Sequence, residues 1–262
     1  MNTIQRIPAV FFFEWRRALT VPRLAWMLAL MAFPPVLLWL VRATARSEPP
    51  IEIAAVLVYV LSPCVACMMS VFLWATPALS SELEGRSWVY LAVRPHGPLS
   101  VLLGKYLVAV SWSIPVGLVS STAGVLALRV DEPVDLIVVQ CALSVLSCVT
   151  YSALFLLIGV LAPKRAMVMG VLYAVIFEAA LALVPAAVNL LTVQYRLRCL
   201  LVRWMDFDLS MVRRSDVLRE YFGDESATWH VGILLAMTIS YLVTAGVLLR
   251  YREFTAASET DT

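Results

Sequence analysis

Residues 81–105 read SELEGRSWVYLAVRPHGPLSVLLGK, a polar interruption between two long apolar runs. Ser81 and Glu84 have the S-x-x-E spacing of a capping box, in which each side chain satisfies an orphan backbone donor of a helix's first turn. The spacing predicts a short helix beginning at Ser81. Glu82 and Glu84 would sit at the positive end of its dipole and Arg94 near the negative end, with Arg86 one turn beyond Glu82. Pro95 ends it, because proline lacks the backbone N–H that would continue the ladder. Trp88, Leu91 and Ala92 share one face, so the segment is a short amphipathic rod with an aromatic anchor and charged ends.

The runs on either side of this rod set the class. The chain is 61% apolar and 15% charged, whereas a soluble domain is about half apolar and a quarter charged. Apolar runs recur at about 24–41, 51–79, 99–128, 134–161, 166–188 and 229–249, each near the roughly 20 residues that cross a bilayer core. The expected fold is an all-α integral membrane protein with six spans in one domain, 1–262. The net charge is +2, and the basic residues gather at the ends of apolar runs rather than along one polar face, which argues against a nucleic-acid partner.

Orientation follows from Lys and Arg in the short loops. Placing both termini in the cytoplasm collects Arg16, Arg17, Arg23, Arg86, Arg94, Lys105, Lys164, Arg165, Arg250 and Arg252 on that side. Only Arg42, Arg46 and Arg129 are left in the short outer loops. Residues 3–20 carry Phe11, Phe12, Phe13 and Trp15 with Arg6, Arg16 and Arg17, a pattern for a helix lying in the interface before the first span. Residues 189–228 hold too many Arg to cross. The apolar residues of 190–205 are worth roughly −0.5 kcal/mol each, against roughly +2.5 or more for each Arg near the centre. Leu197, Leu200, Leu201 and Trp204 recur at helical spacing opposite Arg196 and Arg203, so an interfacial or re-entrant helix is expected there, with a second short one at 216–222 capped by Ser215.

The series Glu84, Gly85, Arg86, Trp88, Leu91, Arg94, Pro95, then Leu103, Gly104, Lys105, Tyr106 and Leu107 resembles the first cytoplasmic loop of ABC-2-type transporter permeases. In that family an acidic residue, Gly, Arg, an aromatic-Leu run and Arg-Pro lead into a Leu-Gly-Lys-Tyr-Leu helix start. The resemblance implies a six-span permease of the inner membrane, with an N-terminal elbow helix, a cytoplasmic coupling helix and short outer helices before the last span. It also implies a second membrane half, identical or related, and a separate ATPase that carries ATP and Mg. The ATPase would dock on Glu82, Glu84, Gly85, Arg86, Trp88, Leu91 and Arg94.

Chemistry within the chain itself is sparse. Gly97 and Gly104-Lys105 lack phosphate-loop spacing, and Tyr106 stands where a metal-binding hydroxyl belongs, so no nucleotide hydrolysis, catalytic residue, cofactor or metal is expected of this chain. His96 and His230 stand beside span ends, where packing or solvation accounts for them. Of five Cys, Cys64 and Cys67 spell C-x-x-C without a second pair, a core pattern rather than a metal site. Pro63, Pro77, Pro115 and Pro185 kink or bound spans, Gly117, Gly124, Gly159 and Gly170 permit close helix approach, and Trp26, Trp39, Trp74, Trp112 and Trp229 suit span ends.

Glu178 is the one acidic residue deep inside an expected span. It is read either as a contact on the translocation path, for substrate or proton, or as a carboxyl bonded to a neighbouring helix. Two other classes of function remain open at this stage: a polytopic scaffold or assembly factor, and a secondary transporter.

Overall fold

The computed structural model describes residues 3–45, 49–84, 97–131, 133–180, 192–207 and 225–251, and every regular element among them is helical. In chain order the α-helices are α1 Thr3–Ala18, α2 Val21–Thr44, α3 Ile51–Tyr59, α4 Cys67–Glu84, α5 Gly97–Leu128, α6 Pro133–Leu161, α7 Ala166–Tyr173, α8 Val193–Trp204 and α9 Ala227–Tyr251. A π-helical stretch, Val60–Ala66, joins α3 to α4 without a break, and a second, Ala174–Ala180, continues α7. Five rods, α2, α3 with α4, α5, α6 and α9, are long and apolar enough to cross a membrane, which is the build of a multi-pass membrane protein. The expected fifth span, 166–188, is described only as far as Ala180.

Local chemistry explains where several helices begin and end. α2 finishes where the Thr44 hydroxyl turns back to donate to the carbonyls of Leu40 and Val41, and the chain then leaves in extended conformation at Ala45. Arg129, at φ 54°, takes the left-handed position that closes α5. Pro133 then opens α6 at a site where its missing N–H is harmless. The Ser226 hydroxyl accepts from the Trp229 N–H and so caps α9.

α6 is the hub, touching α3, α4, α5, α7, α8 and α9. In its apolar window 72% of residues are buried, against 11% in α2 and 22% in α9, so those two present apolar side chains outward. Glycines set how closely the rods cross. A Cβ on Gly159 of α6 would stand 2.9 Å from the Thr76 carbonyl oxygen of α4, and one on Gly117 of α5 would stand 2.7 Å from Cys67 Sγ. Small side chains at crossings suit a membrane, where dispersion and hydrogen bonding replace the hydrophobic drive between helices. Hydroxyls reinforce the same seams: Ser147 of α6 donates to the Pro63 carbonyl in the π stretch, and Ser121 bonds Ser144 across α5 and α6.

Four expectations change. No new helix begins at Ser81: α4 runs on through Glu84, because the apolar run before it already supplies a helix that takes in Ser81. α5 starts at Gly97, so the 103–107 motif lies two turns inside a helix rather than at its start. Trp74 and Trp112 are buried instead of anchoring span ends, whereas Trp26, Trp39 and Trp229 are exposed. α8 has the expected helical form, but Arg196 is buried along with Leu197, Leu200 and Leu201, because α6 and α9 both pack against the helix. The expected helix at 216–222, Pro185 and His96 lie outside the described residues.

Candidate functional site

Two polar constellations stand out in this apolar framework. The first joins α1, α4 and α5. Gly104 lets α1 lie directly on α5, because a Cβ there would come within 2.6 Å of Val10 Cγ1. One residue on, Lys105 points its ammonium between two carboxylates, 3.3 Å from Glu14 Oε1 and 3.4 Å from Glu82 Oε1. Arg17 of α1 adds a second link to Glu82 at 3.3 Å. The Lys105 side chain is only 5% exposed, with Glu14 at 18% and Glu82 at 13%, so these charges are largely removed from solvent and depend on one another.

Aromatic rings extend this clamp. Trp15 of α1 stacks on Trp112 of α5 at 5.3 Å, Trp112 stacks on Trp74 of α4 at 4.8 Å, and the Arg23 guanidinium lies over Trp74 at 5.2 Å. Each stacked pair contributes about 0.5–1.5 kcal/mol beyond its burial. Glu82 and Lys105, 23 residues apart, thus bring both flanks of the 85–96 segment together and fasten them to α1.

The second constellation surrounds Glu178. In an α-helix, residues five apart point about 140° away from each other, but in a π turn, whose backbone bonds run i to i+5, they fall on one face. The Tyr173 hydroxyl accordingly donates to Glu178 Oε1 at 2.6 Å. Glu178 Oε2 accepts from the backbone N–H of Gln194 at 3.1 Å, in the first turn of α8. Thr192 takes the next donor in turn, accepting from the Tyr195 N–H at 3.2 Å. Two orphan donors of α8 are thereby satisfied, and a carboxyl lies at the positive end of its dipole. The Tyr59 hydroxyl donates to Gln194 Oε1 at 2.6 Å, fastening the same turn to α3.

Further along α8, Arg196 Nη1 approaches His230 Nδ1 of α9 at 3.3 Å, and the Arg196 and Arg198 guanidinium groups lie 5.1 and 5.7 Å from the Tyr195 ring. His230 is fully buried rather than solvated. What this arrangement does chemically is hold a basic helix against α6 and α9, with its first turn bonded to Tyr59 of α3 and Glu178.

Of the expected docking residues, Glu82 is held by Arg17 and Lys105. The Glu84 backbone ends α4, and Gly85, Arg86, Trp88, Leu91 and Arg94 lie outside the described residues. Glu178 is buried and bonded to neighbouring elements. All five Cys are free, with Cys67, Cys148 and Cys199 buried, and no cluster of three or more metal-ligating side chains occurs among the described residues. The sequence reading did not find Glu14 or the Trp stack, whose members lie far apart in the chain. It also did not pair Tyr173 with Glu178, because their separation of five is not an α-helical spacing. No protein-family model matches the chain, and a search of curated proteins returned no match.

Proposed function

We propose that the chain is the membrane subunit of an ATP-driven exporter of the ABC-2 type. It sits in the inner membrane with both termini in the cytoplasm and pairs with a second membrane half, identical or related. It moves substrate by taking motion from a separate ATPase, which carries the ATP and Mg. The observation that carries this reading is the ordered series from Glu84 to Leu107 in the polar loop between the second and third apolar runs. The clamp supports it. A segment that receives force from a soluble motor needs both its ends braced against the spans it must move, and the Glu82–Lys105 link at 3.4 Å braces 85–96 in this way, with α1 bound in through Glu14.

The test is copurification of the ATPase with the full chain. Glu82 is unsuitable for substitution because it holds the clamp, so Glu84→Lys and Trp88→Ala are made together. The expected result is loss of the ATPase from a chain that still elutes as a single species. Complete retention of the ATPase, or ATP hydrolysis by the purified chain alone, would overturn the proposal.

A further inference from the structure

Beside the clamp, α1, α2, α4 and α5 enclose a cavity of about 90 Å³. Roughly 10–15 Å³ by this measure holds one water, so there is room for a phosphate group. Among the described residues its charged lining is Arg17, Arg23 and Lys105 with Glu14 and Glu82, three cations against two carboxylates. Lys105 and Arg17 are both engaged with the two carboxylates. Arg23 is not: among the described residues its guanidinium meets only the face of Trp74, at 5.2 Å, and it lines the cavity with five N–H donors not engaged by a carboxylate there. A guanidinium oriented on an aromatic face is preorganised for the two oxygens of a phosphate. Where α1 passes into α2, Leu19, Val21, Leu24 and Trp26, all within four residues of Arg23 in the chain, are exposed and give an apolar approach on either side of it.

We propose that this cavity binds the phosphate of an anionic phospholipid headgroup, with Arg23 as its principal donor and the acyl chains along the exposed start of α2. The excess of cations over carboxylates among the described lining residues suits a phosphodiester. The apolar approach distinguishes a lipid from a free anion, which would gain nothing from it. The inference is independent of the transport reading, since it concerns how the α1–α2 corner meets the bilayer whatever the chain moves.

The experiment is native mass spectrometry of the full chain in neutral detergent, titrated separately with dioctanoyl-phosphatidylglycerol, dioctanoyl-phosphatidylcholine and inorganic phosphate. Phosphatidylglycerol is expected to bind saturably and at least about tenfold more tightly than either other probe. Arg23→Gln should weaken it about tenfold, Arg23→Lys should weaken it less than Arg23→Gln because it keeps the charge but loses the fork, and Arg129→Gln, at the far end of α5, should leave it unchanged. Unaltered binding in Arg23→Gln overturns the site. Equal binding of inorganic phosphate overturns the lipid as its occupant, and equal binding of phosphatidylcholine overturns the charge selection.

Discussion

Single side chains here matter through the partners they hold in a low-dielectric setting. Lys105 satisfies two carboxylates at once. Lys105→Met removes the cation, leaves Glu82 with Arg17, and strands Glu14 with only a marginal approach to Arg17 at 4.0 Å. Losing one partner of a buried ionic group costs about 3–5 kcal/mol. SDS-titrated unfolding of the purified chain should show a loss of that size. Adding Glu14→Gln to Lys105→Met should recover part of it, because the stranded charge is then gone. Equal unfolding midpoints for wild type and Lys105→Met would remove the clamp from the account. Glu178 poses the same kind of question with a different readout. Glu178→Gln keeps one acceptor but sets an amide N–H₂ against either the Tyr173 hydroxyl or the Gln194 N–H, both of which now donate to it. An unsatisfied buried group costs about 1–3 kcal/mol. Hydrogen exchange across 192–207 should therefore accelerate, while transport by an assembled complex stays near wild type if the carboxyl is structural. Lost transport with unchanged exchange would assign Glu178 to the translocation path instead. The sequence exposed Glu178 as an oddity because a carboxyl among apolar residues is rare. It could not expose the partners, since Gln194 is 16 residues away and Tyr59 reaches Gln194 across 135.

Helices crossing within a membrane are limited by how closely their backbones approach, and Gly159 sets that limit between α4 and α6. Gly159→Ala places a methyl group 2.9 Å from the Thr76 carbonyl oxygen, a backbone atom that cannot rotate away, so the two helices must separate. Overpacking of this kind costs about 1–3 kcal/mol. Gly232→Ala in α9 meets nothing within 4 Å and should be neutral or slightly stabilising through the better helix propensity of alanine. Thermal aggregation temperatures of the two variants in one detergent make the comparison, and equal values would mean that α4 and α6 do not cross at Gly159. At this scale much of the architecture was legible, because bilayer thickness fixes span length and the apolar runs declare it. Five of the six expected spans correspond to rods apolar and long enough to cross. The continuation of α4 through Ser81 was not legible, since a capping box and the tail of a long helix share the same residues and only the preceding run decides between them. Nor was the burial of Trp74 and Trp112, which stack on each other with Trp15 of α1 on the Trp112 ring.

For the whole molecule, the number of crossings decides on which side each end lies. Five crossings would put the termini on opposite faces, and six put them on the same face. The question turns on α7 and its π-helical continuation. Residues 166–180 would rise about 22 Å at 1.5 Å per residue, less than the roughly 30 Å hydrocarbon core. A full crossing therefore requires the apolar residues that follow, and the sequence provides them through Val188. Side chains along this stretch agree with a rod packed on one side only: Val168, Val171, Leu172, Val175 and Ile176 are exposed, while Gly170 packs against Phe72 of α4 and Phe155 of α6. Six crossings are expected, and from the Lys and Arg of the short loops we expect both ends inside. Single cysteines introduced at Ser258 and Asn2 in a chain stripped of its native Cys should both resist a membrane-impermeant maleimide in intact cells, while one at Glu132 should react. Reaction at Ser258 but not at Asn2 would mean five crossings, with α8 on the cytoplasmic side, the side that its Arg content favours. The proposed docking segment would still be cytoplasmic in that case, because two spans precede it either way. The side on which α8 and Glu178 meet would change, and with it any role for that carboxyl in the path of a substrate.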